Sequence, residues 1–253
     1  MRKVALTAMA LALTVAAGAA QAGGRHYLPY NSIQGLGDMQ LSNVHVHPHY
    51  ILVDPYLDIT NGVEFGQIND GDMLAIQGLI SKGPKKVTGT AAAVGNTASV
   101  DVKGGVFVEG NQKNYGNAKA KLGGLVLGAK KVELTSAALG NATNVKSKGD
   151  TVVDLNQSNM AYSMEAGLVS GIFTPTHRHG RRDLGKVETT AAAIGNSLSV
   201  EAGKYGDTLV SSRQQNWADA TAINLTAVAG RFDSAEVTSA AIGNALNITN
   251  VTD

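Results

Sequence analysis

The segment AAAIGNSLSV, residues 191–200, recurs three more times along the chain with small changes. The other copies are AAAVGNTASV (91–100), SAALGNATNV (136–145) and SAAIGNALNI (239–248). Their asparagines, Asn96, Asn141, Asn196 and Asn244, are 45, 55 and 48 residues apart. No copy contains an ionisable side chain, so the repeated segment is predicted to build structure rather than to perform chemistry.

A second motif, Q-x-N, alternates with the Gly-Asn segments. Its asparagines follow those of the Gly-Asn segments by 18, 18 and 20 residues. The clear copies supply Gln112, Asn114, Gln157, Asn159, Gln214 and Asn216. A weaker copy lies at Gln67 and Asn69, 45 residues before Asn114. The near-constant offset predicts a repeat unit of about 45 residues, made of two unlike halves of about 22 residues.

The local sequence of both halves favours β-strands. V-x-T and N-x-A-x-A alternate with period two, and Val, Thr and Ile suit extended backbone. Gly and Asn tolerate positive φ, so the pairs that begin at Gly95, Gly140, Gly195 and Gly243 are predicted to turn the chain. Each half is then a strand, a turn and a strand. Such a layer buries its faces only when layers stack, which predicts an all-β solenoid with Asn and Gln amides hydrogen-bonded between layers.

The beginning of the chain differs from the repeats. Residues 1–22 are a predicted signal peptide, because Arg2 and Lys3 precede an apolar run and Ala20-Gln21-Ala22 is a cleavage site. Residues 23–60 are predicted to form an irregular arm or cap, and residues 61–253 the solenoid. The chain has no cysteine, which excludes disulfides and thiolate metal sites. Its formal charge of +1 gives no indication of nucleic-acid binding.

The segments GNTASV (95–100) and QSNMA (157–161) resemble curlin repeats, the units of secreted bacterial functional amyloids. The resemblance covers about residues 60–253. It implies a curli-like holdfast or matrix component in which the Asn and Gln positions form ladders along the stack. The implied ladder residues are Asn96, Asn141, Asn196 and Asn244 in one half and Gln112, Asn114, Gln157, Asn159, Gln214 and Asn216 in the other. The chain departs from curlin repeats at the Gly-Asn halves, which lack the expected Gln, and at an insertion, residues 176–183.

Few residues offer an alternative chemistry. His45, His47 and His49 alternate in VHVHPH, so on a strand they would share one side and could ligate zinc or copper. A polar strand face or loop is the competing interpretation, since Pro48 weakens the strand. No G-x-S-x-G elbow or phosphate-binding loop occurs, so no enzyme and no cofactor is predicted. An unrelated β fold with ordinary turns stays open, whereas the aromatic content of 5% argues against an outer-membrane barrel.

Two functions follow from these observations. The chain begins its repeats with a Q-x-N half and ends them with a Gly-Asn half, so an unpaired edge is expected at each end. Head-to-tail stacking would then continue the solenoid between copies as an extracellular fibre or biofilm matrix. The alternative is a monomeric surface module that binds polysaccharide or a partner protein. Either protein is expected outside a bacterial cell, exported with the help of outer-membrane secretion machinery.

Overall fold

The computed structural model describes residues 57, 59–83, 86–173, 185–204, 206–230 and 232–250. The predicted signal peptide, the histidines His45, His47 and His49, and the insertion 176–183 lie outside the described residues. So does nearly all of the predicted arm, of which only Leu57, Ile59 and Thr60 are described. In the described ranges, no helix is long and apolar enough to cross a bilayer.

The described residues form twelve β-strands. In chain order they are β1 (Asn61–Asn69), β2 (Met73–Lys82), β3 (Lys86–Val102), β4 (Val106–Asn114), β5 (Ala118–Leu127), β6 (Lys131–Ser147), β7 (Thr151–Asn159), β8 (Ser163–Phe173), β9 (Gly185–Ala202), β10 (Thr208–Asn216), β11 (Asp219–Ala229) and β12 (Phe232–Asn250). A short, a medium and a long strand follow one another four times. This period matches the 45-residue repeat of the sequence.

The strands make three parallel four-stranded sheets, each containing one strand from every repeat. Sheet A has the order β1-β4-β7-β10, sheet B the order β2-β5-β8-β11 and sheet C the order β3-β6-β9-β12. One strand of each sheet makes one turn of the solenoid, which we call a coil. Coil 1 is β1–β3, coil 2 is β4–β6, coil 3 is β7–β9 and coil 4 is β10–β12. The predicted all-β solenoid of stacked layers is therefore confirmed.

Each coil is one layer of three strands rather than two layers of about 22 residues. The Q-x-N half is a strand, a turn and a strand, as predicted: β1 turns at residues 70–72 into β2. The Gly-Asn half is instead one long strand of sheet C. Because three strands complete a coil, the described residues contain four whole coils, and the two half units expected at the ends belong to complete coils.

The prediction that Gly95, Gly140, Gly195 and Gly243 turn the chain is wrong. They lie inside β3, β6, β9 and β12 and have no positive φ. Among the described residues, the positive-φ glycines are Gly83, Gly128 and Gly230, which follow the sheet B strands.

The Gly-Asn pair makes a kink within its strand. Along β3 the buried positions are Val87, Gly89, Ala91 and Ala93, after which Gly95 and Asn96 are buried in succession. This shifts the inward side by one residue, and the ladder partners pass directly from Val94–Leu139 to Asn96–Asn141. The long strand therefore presents one segment to sheet B and the other to sheet A.

The kink divides the interior of each coil into two apolar cores. The larger core lies between sheets B and C and contains Leu122, Leu134, Met164 and Leu168. The smaller core lies between sheets A and C, around Phe65, Val108, Val145, Leu155 and Leu198. Alanines at the inward positions of sheet C allow close approach of the sheets, as the composition suggested. The Q-x-N corner between sheets A and B points at the kink and separates the two cores with a polar seam.

Candidate functional site

The polar seam contains three ladders of amides that run through all four coils. The first lies at the corner between sheets A and B. Asn69 Nδ2 donates to Asn114 Oδ1 at 2.7 Å, Asn114 Nδ2 to Asn159 Oδ1 at 2.7 Å, and Asn159 Nδ2 to Asn216 Oδ1 at 2.6 Å. The second amide hydrogen of Asn114 reaches Gly116 O at 2.8 Å, so the same side chain also fixes the corner.

The second ladder lies at the kink of sheet C. Asn96 Nδ2 donates to Asn141 Oδ1 at 2.8 Å, and the bonds from Asn141 to Asn196 and from Asn196 to Asn244 are 2.7 Å each. The other amide hydrogen reaches a sheet A carbonyl in the next coil, for example from Asn141 Nδ2 to Ser158 O at 2.9 Å. This ladder therefore joins coil to coil and sheet C to sheet A at once.

The glutamines make the third ladder, which has the opposite polarity. Gln112 Nε2 donates back to Gln67 Oε1 at 2.6 Å, Gln157 Nε2 to Gln112 Oε1 at 2.8 Å, and Gln214 Nε2 to Gln157 Oε1 at 2.8 Å. Each glutamine also donates to a sheet C carbonyl of its own coil, as Gln67 does to Thr97 O at 2.8 Å. Asparagine donors thus point towards coil 4, whereas glutamine donors point towards coil 1.

All ten residues of the predicted ladder set lie in this seam, and Asn69 and Gln67 extend its first and third ladders to coil 1. Gln112, Asn114, Asn141, Gln157, Asn159 and Asn196 are fully buried. Burial of an amide is costly unless its donors and acceptors are paired. A shift of one strand by one residue would turn its amides to the opposite face of the sheet and leave the neighbouring buried amides unpaired, so the seam fixes the register of the stack.

The glycines of the Gly-Asn pairs are required by the seam. A Cβ on Gly95 would lie 2.5 Å from Asn114 Oδ1 and 2.4 Å from Gly140 O. Gly140 and Gly195 are confined in the same way, each by the next coil and by an asparagine of the first ladder. Gly243 differs, because the nearest atom to its Cβ would be Asn216 Nδ2 at 3.5 Å. The glycine makes room for the amide column, and in coil 4 the neighbour that would confine it is missing.

The two ends of the solenoid are unlike. In coil 1 the inward side chains Phe65 and Val87 are 5% exposed. In coil 4 the inward Val237, Leu246 and Ile248 are about half exposed. Asn69 is 1% exposed, and its Oδ1 has no hydrogen-bond partner within the part of the chain that the structure describes. The seam is thus incomplete at both ends, and the core is open at the C-terminal end.

Charged side chains lie on the outside of the coils. On sheet C, Glu133 Oε1 and Lys131 Nζ are 2.5 Å apart, and Glu133 Oε2 and Lys86 Nζ are 2.9 Å apart. Hydrogen bonds from Lys131 and then from Lys86 lower the pKa of Glu133. Within the described ranges no three His, Asp or Glu side chains are grouped to hold a metal.

Comparison with known protein families gives a match that covers most of the solenoid. The sequence pattern of the family described as holdfast attachment protein D matches residues 81–252. The chain belongs to the holdfast attachment protein D family. The match begins at the end of β2 and covers the amide seam except for Gln67 and Asn69 of coil 1. Membership gives the chain a surface attachment role. No curated protein and no solved structure matches the chain.

Sequence reasoning found the seam through the spacing of Asn and Gln, but it missed the outward face of sheet B. Leu74, Ile76 and Ile80 of β2 are exposed there, as are Ile223 and Leu225 of β11. The signal was present in MLAIQGLIS (73–81), where apolar residues occupy both alternating positions. Such a run indicates a strand that is covered on both faces.

Proposed function

We propose that this member of the holdfast attachment protein D family is a secreted subunit of a surface fibre, assembled head to tail by continuing its solenoid between copies. The observation that carries the proposal is the open end of coil 4, where the inward Val237, Leu246 and Ile248 are about half exposed. Whole coils at both ends allow sheets A, B and C to continue in register. An open solenoid stack of this kind forms a filament rather than a ring.

The amide ladders support this stacking because their polarity is complementary at the two ends. In a continued stack Asn216 Nδ2 would donate to Asn69 Oδ1 of the next copy, a buried oxygen that has no hydrogen-bond partner among the described residues. By the same repeat Asn244 Nδ2 donates to Asn96 Oδ1. Gln67 Nε2 of the next copy donates back to Gln214 Oε1. Every junction bond repeats one that already joins coils inside the chain.

The apolar side chains at the two ends also fit. The register of sheet C places Val237 in the column of Gly89, and Leu246 in the column of Ala98. Large inward side chains of coil 4 would therefore stand over small ones of coil 1. Burial of the half-exposed Val237, Leu246 and Ile248 would contribute hydrophobic stabilisation to each junction. The outer edges of β10, β11 and β12 would gain backbone partners.

Gly243 provides the sharpest test. A Cβ at Gly95, Gly140 or Gly195 would lie 2.4 Å from the glycine oxygen of the next coil, whereas no further coil follows Gly243 among the described residues. Gly243→Ala should leave the subunit folded and block the junction. Electron microscopy over a day should show filaments for the unaltered chain, with a strand spacing of about 4.8 Å along the axis, and none for the variant.

A matched control is Gly66→Ala, since a Cβ there meets nothing within 4 Å and the residue faces outward on sheet A. This variant should form filaments like the unaltered chain. Filaments of normal length from Gly243→Ala would contradict head-to-tail growth through coil 4. A dimer joined only through two C-terminal coils would contradict it as well.

Export is part of the same proposal. Cleavage after Ala22 should leave Gly23 as the first residue of the protein recovered outside the cell, which mass spectrometry would establish. A protein that keeps residues 1–22 in the extracellular fraction would contradict a cleaved signal peptide. Outer-membrane secretion machinery is the expected partner for the later step.

A column of exposed side chains at the corner of sheets A and B favours a second function, a monomeric module that binds polysaccharide. Tyr115, Met160 and Trp217 follow equivalent asparagines of coils 2, 3 and 4, and Tyr162 lies beside them. Trp217 is 74% and Tyr162 is 83% exposed. Flat aromatic faces of this kind bind apolar faces of partners such as sugar rings. Because Trp217 is the chain's one tryptophan, its fluorescence reports binding directly, and Tyr162→Ala should weaken saturable glycan titration without changing the fold.

A further inference from the structure

Sheet B presents an apolar outer face to solvent. Its outward positions carry large exposed aliphatic side chains in coils 1 and 4, and exposed fractions reach 84% at Ile80 and 70% at Ile76. The outward residues in coil order are Leu74, Ile76, Gly78, Ile80 and Lys82; Lys119, Lys121, Gly123, Leu125 and Leu127; Glu165, Gly167, Val169, Gly171 and Phe173; and Thr221, Ile223, Leu225, Ala227 and Ala229. Single exposed aliphatic residues are ordinary, but a contiguous face of them marks an interaction site.

The other two sheets show that this face is specific to sheet B. The outward positions of sheet A include Glu64, Glu109 and Asp154 in one column. The outward positions of sheet C include the ion pairs of Lys86 and Lys131 with Glu133. On sheet C the apolar outward residues Leu139 and Ile194 are buried, and on sheet A the large exposed aliphatic side chains among the described residues are Ile68 and Leu209 alone.

The columns of sheet B are complementary to themselves when the coil order is reversed. One column reads Gly78, Gly123, Val169 and Leu225 from coil 1 to coil 4. Rotation by 180° about an axis parallel to the strands keeps each column in place and reverses the coils. Coil 1 of one copy then faces coil 4 of the other, so the two glycines stand opposite the two large residues.

The same twofold rotation brings complementary side chains together over most of the sheet B face. The opposed pairs are Gly78 with Leu225, Gly123 with Val169, Lys121 with Gly167, Leu125 with Gly171, Ile80 with Ala227 and Lys119 with Glu165. A Cβ on Gly78 or Gly123 would meet nothing within 4 Å, so these glycines leave open hollows. Lys119 Nζ and Glu165 Oε1 already form an ion pair of 3.1 Å within one chain. Reversed coil order also sets Lys119 of one copy opposite Glu165 of the other, so opposite charges face each other across the contact. Two large pairs, Ile76 with Ile223 and Leu127 with Phe173, add apolar contact.

We propose that sheet B binds the sheet B face of a second copy, with the two solenoid axes antiparallel and a twofold axis along the strands. Strands of about ten residues and four strands at about 4.8 Å spacing give a face of about 600 Å². Two such faces bury about 1,200 Å² in total, which reaches the range of specific interfaces. The contact is isologous, so each pair occurs twice. It is lateral to the head-to-tail junction and does not depend on it.

The test uses the hollow at Gly78 and its partner Leu225. Gly78→Leu fills an open space in the monomer and should leave the fold intact, but in the dimer it meets Leu225. Overpacking at two symmetric contacts should raise the dimer dissociation constant about 100-fold. Sedimentation of the full chain carrying Gly243→Ala measures this without head-to-tail growth, and the dimer is expected in the unaltered background too.

The double variant Gly78→Leu with Leu225→Gly exchanges the large and the small residue. Because the two residues lie three strands apart in one chain, they relieve each other only across the dimer, and dimerisation should return. Gly66→Leu is the matched control on sheet A and should dimerise normally, since its added Cβ also meets nothing within 4 Å. A monomer at all concentrations, a dimer indifferent to Gly78→Leu, or a double variant that stays monomeric would overturn the proposal.

Discussion

Asn114 Nδ2 donates to Asn159 Oδ1 at 2.7 Å although the two residues are 45 positions apart in the chain. Both side chains are fully buried, and each is bonded on its other side to a further asparagine of the column. The asparagine recurs in every coil because its oxygen accepts the hydrogen bond from the asparagine of the preceding coil. Replacing an amide in the middle of the column should therefore lower the free energy of unfolding more than replacing an amide on the surface.

Asn159→Ala should show this difference. The substitution removes the acceptor of Asn114 and the donor to Asn216 in a buried seam, and buried groups left unpaired cost about 1–3 kcal/mol each. We expect a loss of about 2–4 kcal/mol in the free energy of unfolding, measured by urea denaturation. Asn156→Ala in the same strand is the control, because Asn156 faces outward and is half-buried. It should cost less than about 0.5 kcal/mol; equal losses would contradict the ladder's contribution.

Gly140→Ala tests why glycine precedes the second asparagine ladder. The new Cβ would lie 2.4 Å from Gly195 O and 2.7 Å from Asn159 Cγ, and neither backbone nor a ladder amide can move away cheaply. We expect a loss of about 2–4 kcal/mol in unfolding free energy, as for other overpacked or strained sites. Gly66→Ala has open space above it and should be neutral or slightly stabilising, since Ala suits a strand better than Gly. A tolerated Gly140→Ala would mean that the coils can separate at the kink.

How much the sequence predicts is clear from these two positions. The amide column follows from spacing, because the offset from each Gly-Asn asparagine to the following Q-x-N asparagine is nearly constant at 18, 18 and 20 residues. The prediction that the Gly-Asn pairs turn the chain failed because Gly-Asn is common in turns. Local sequence does not reveal that an amide from another segment fills the space over Gly95. Likewise, period-two alternation predicts strands, but the change of side at Asn96 arises only when sheet C has to contact both sheets A and B.

Glu133 gives the sheet C surface a pH dependence. Its hydrogen bonds with Lys131 and Lys86 lower the pKa of the folded carboxyl below the ordinary value of 4.5. A lowered folded pKa contributes stability that is fully present above the unfolded pKa and is lost as pH falls through the folded pKa. We expect Glu133→Gln to cost less than about 1 kcal/mol at pH 7, because the pair is partly solvated. The difference between variant and unaltered chain should shrink in urea titrations as the pH falls below 4.5 and through the lowered folded pKa.

Glu109→Gln is the control for that titration, since Glu109 is exposed on sheet A and no lysine bridge to it is present among the described residues. It should change the unfolding free energy little at either pH. A stability difference for Glu133→Gln that persists or grows at acid pH would contradict the sign of the effect, because the protonated carboxyl no longer attracts the lysines.

Removal of one whole coil tests the length of the structural unit. Deletion of residues 106–150 joins Gly105 to Thr151 and takes out coil 2 with one rung of every ladder. The corner geometry is preserved, because Asn61 N donates to Gly105 O in the same way that Val106 N donates to Asp150 O. Asn69 then meets Asn159, and Gln67 meets Gln157. We expect a folded three-coil solenoid with the β-sheet circular dichroism of the parent and a lower unfolding free energy, since fewer coil interfaces remain.

Deletion of residues 106–127 is the matched control, because it removes about half a unit and would be tolerated if each layer held about 22 residues. In the three-strand coil it takes away β4 and β5 and leaves β6 without the strands that cover it, so Leu134, Val145 and the Asn141 amide lose their inward partners. This chain should fail to fold cooperatively. Cooperative urea unfolding of the half-unit deletion, or an unfolded whole-coil deletion, would contradict the 45-residue coil as the unit that stacks.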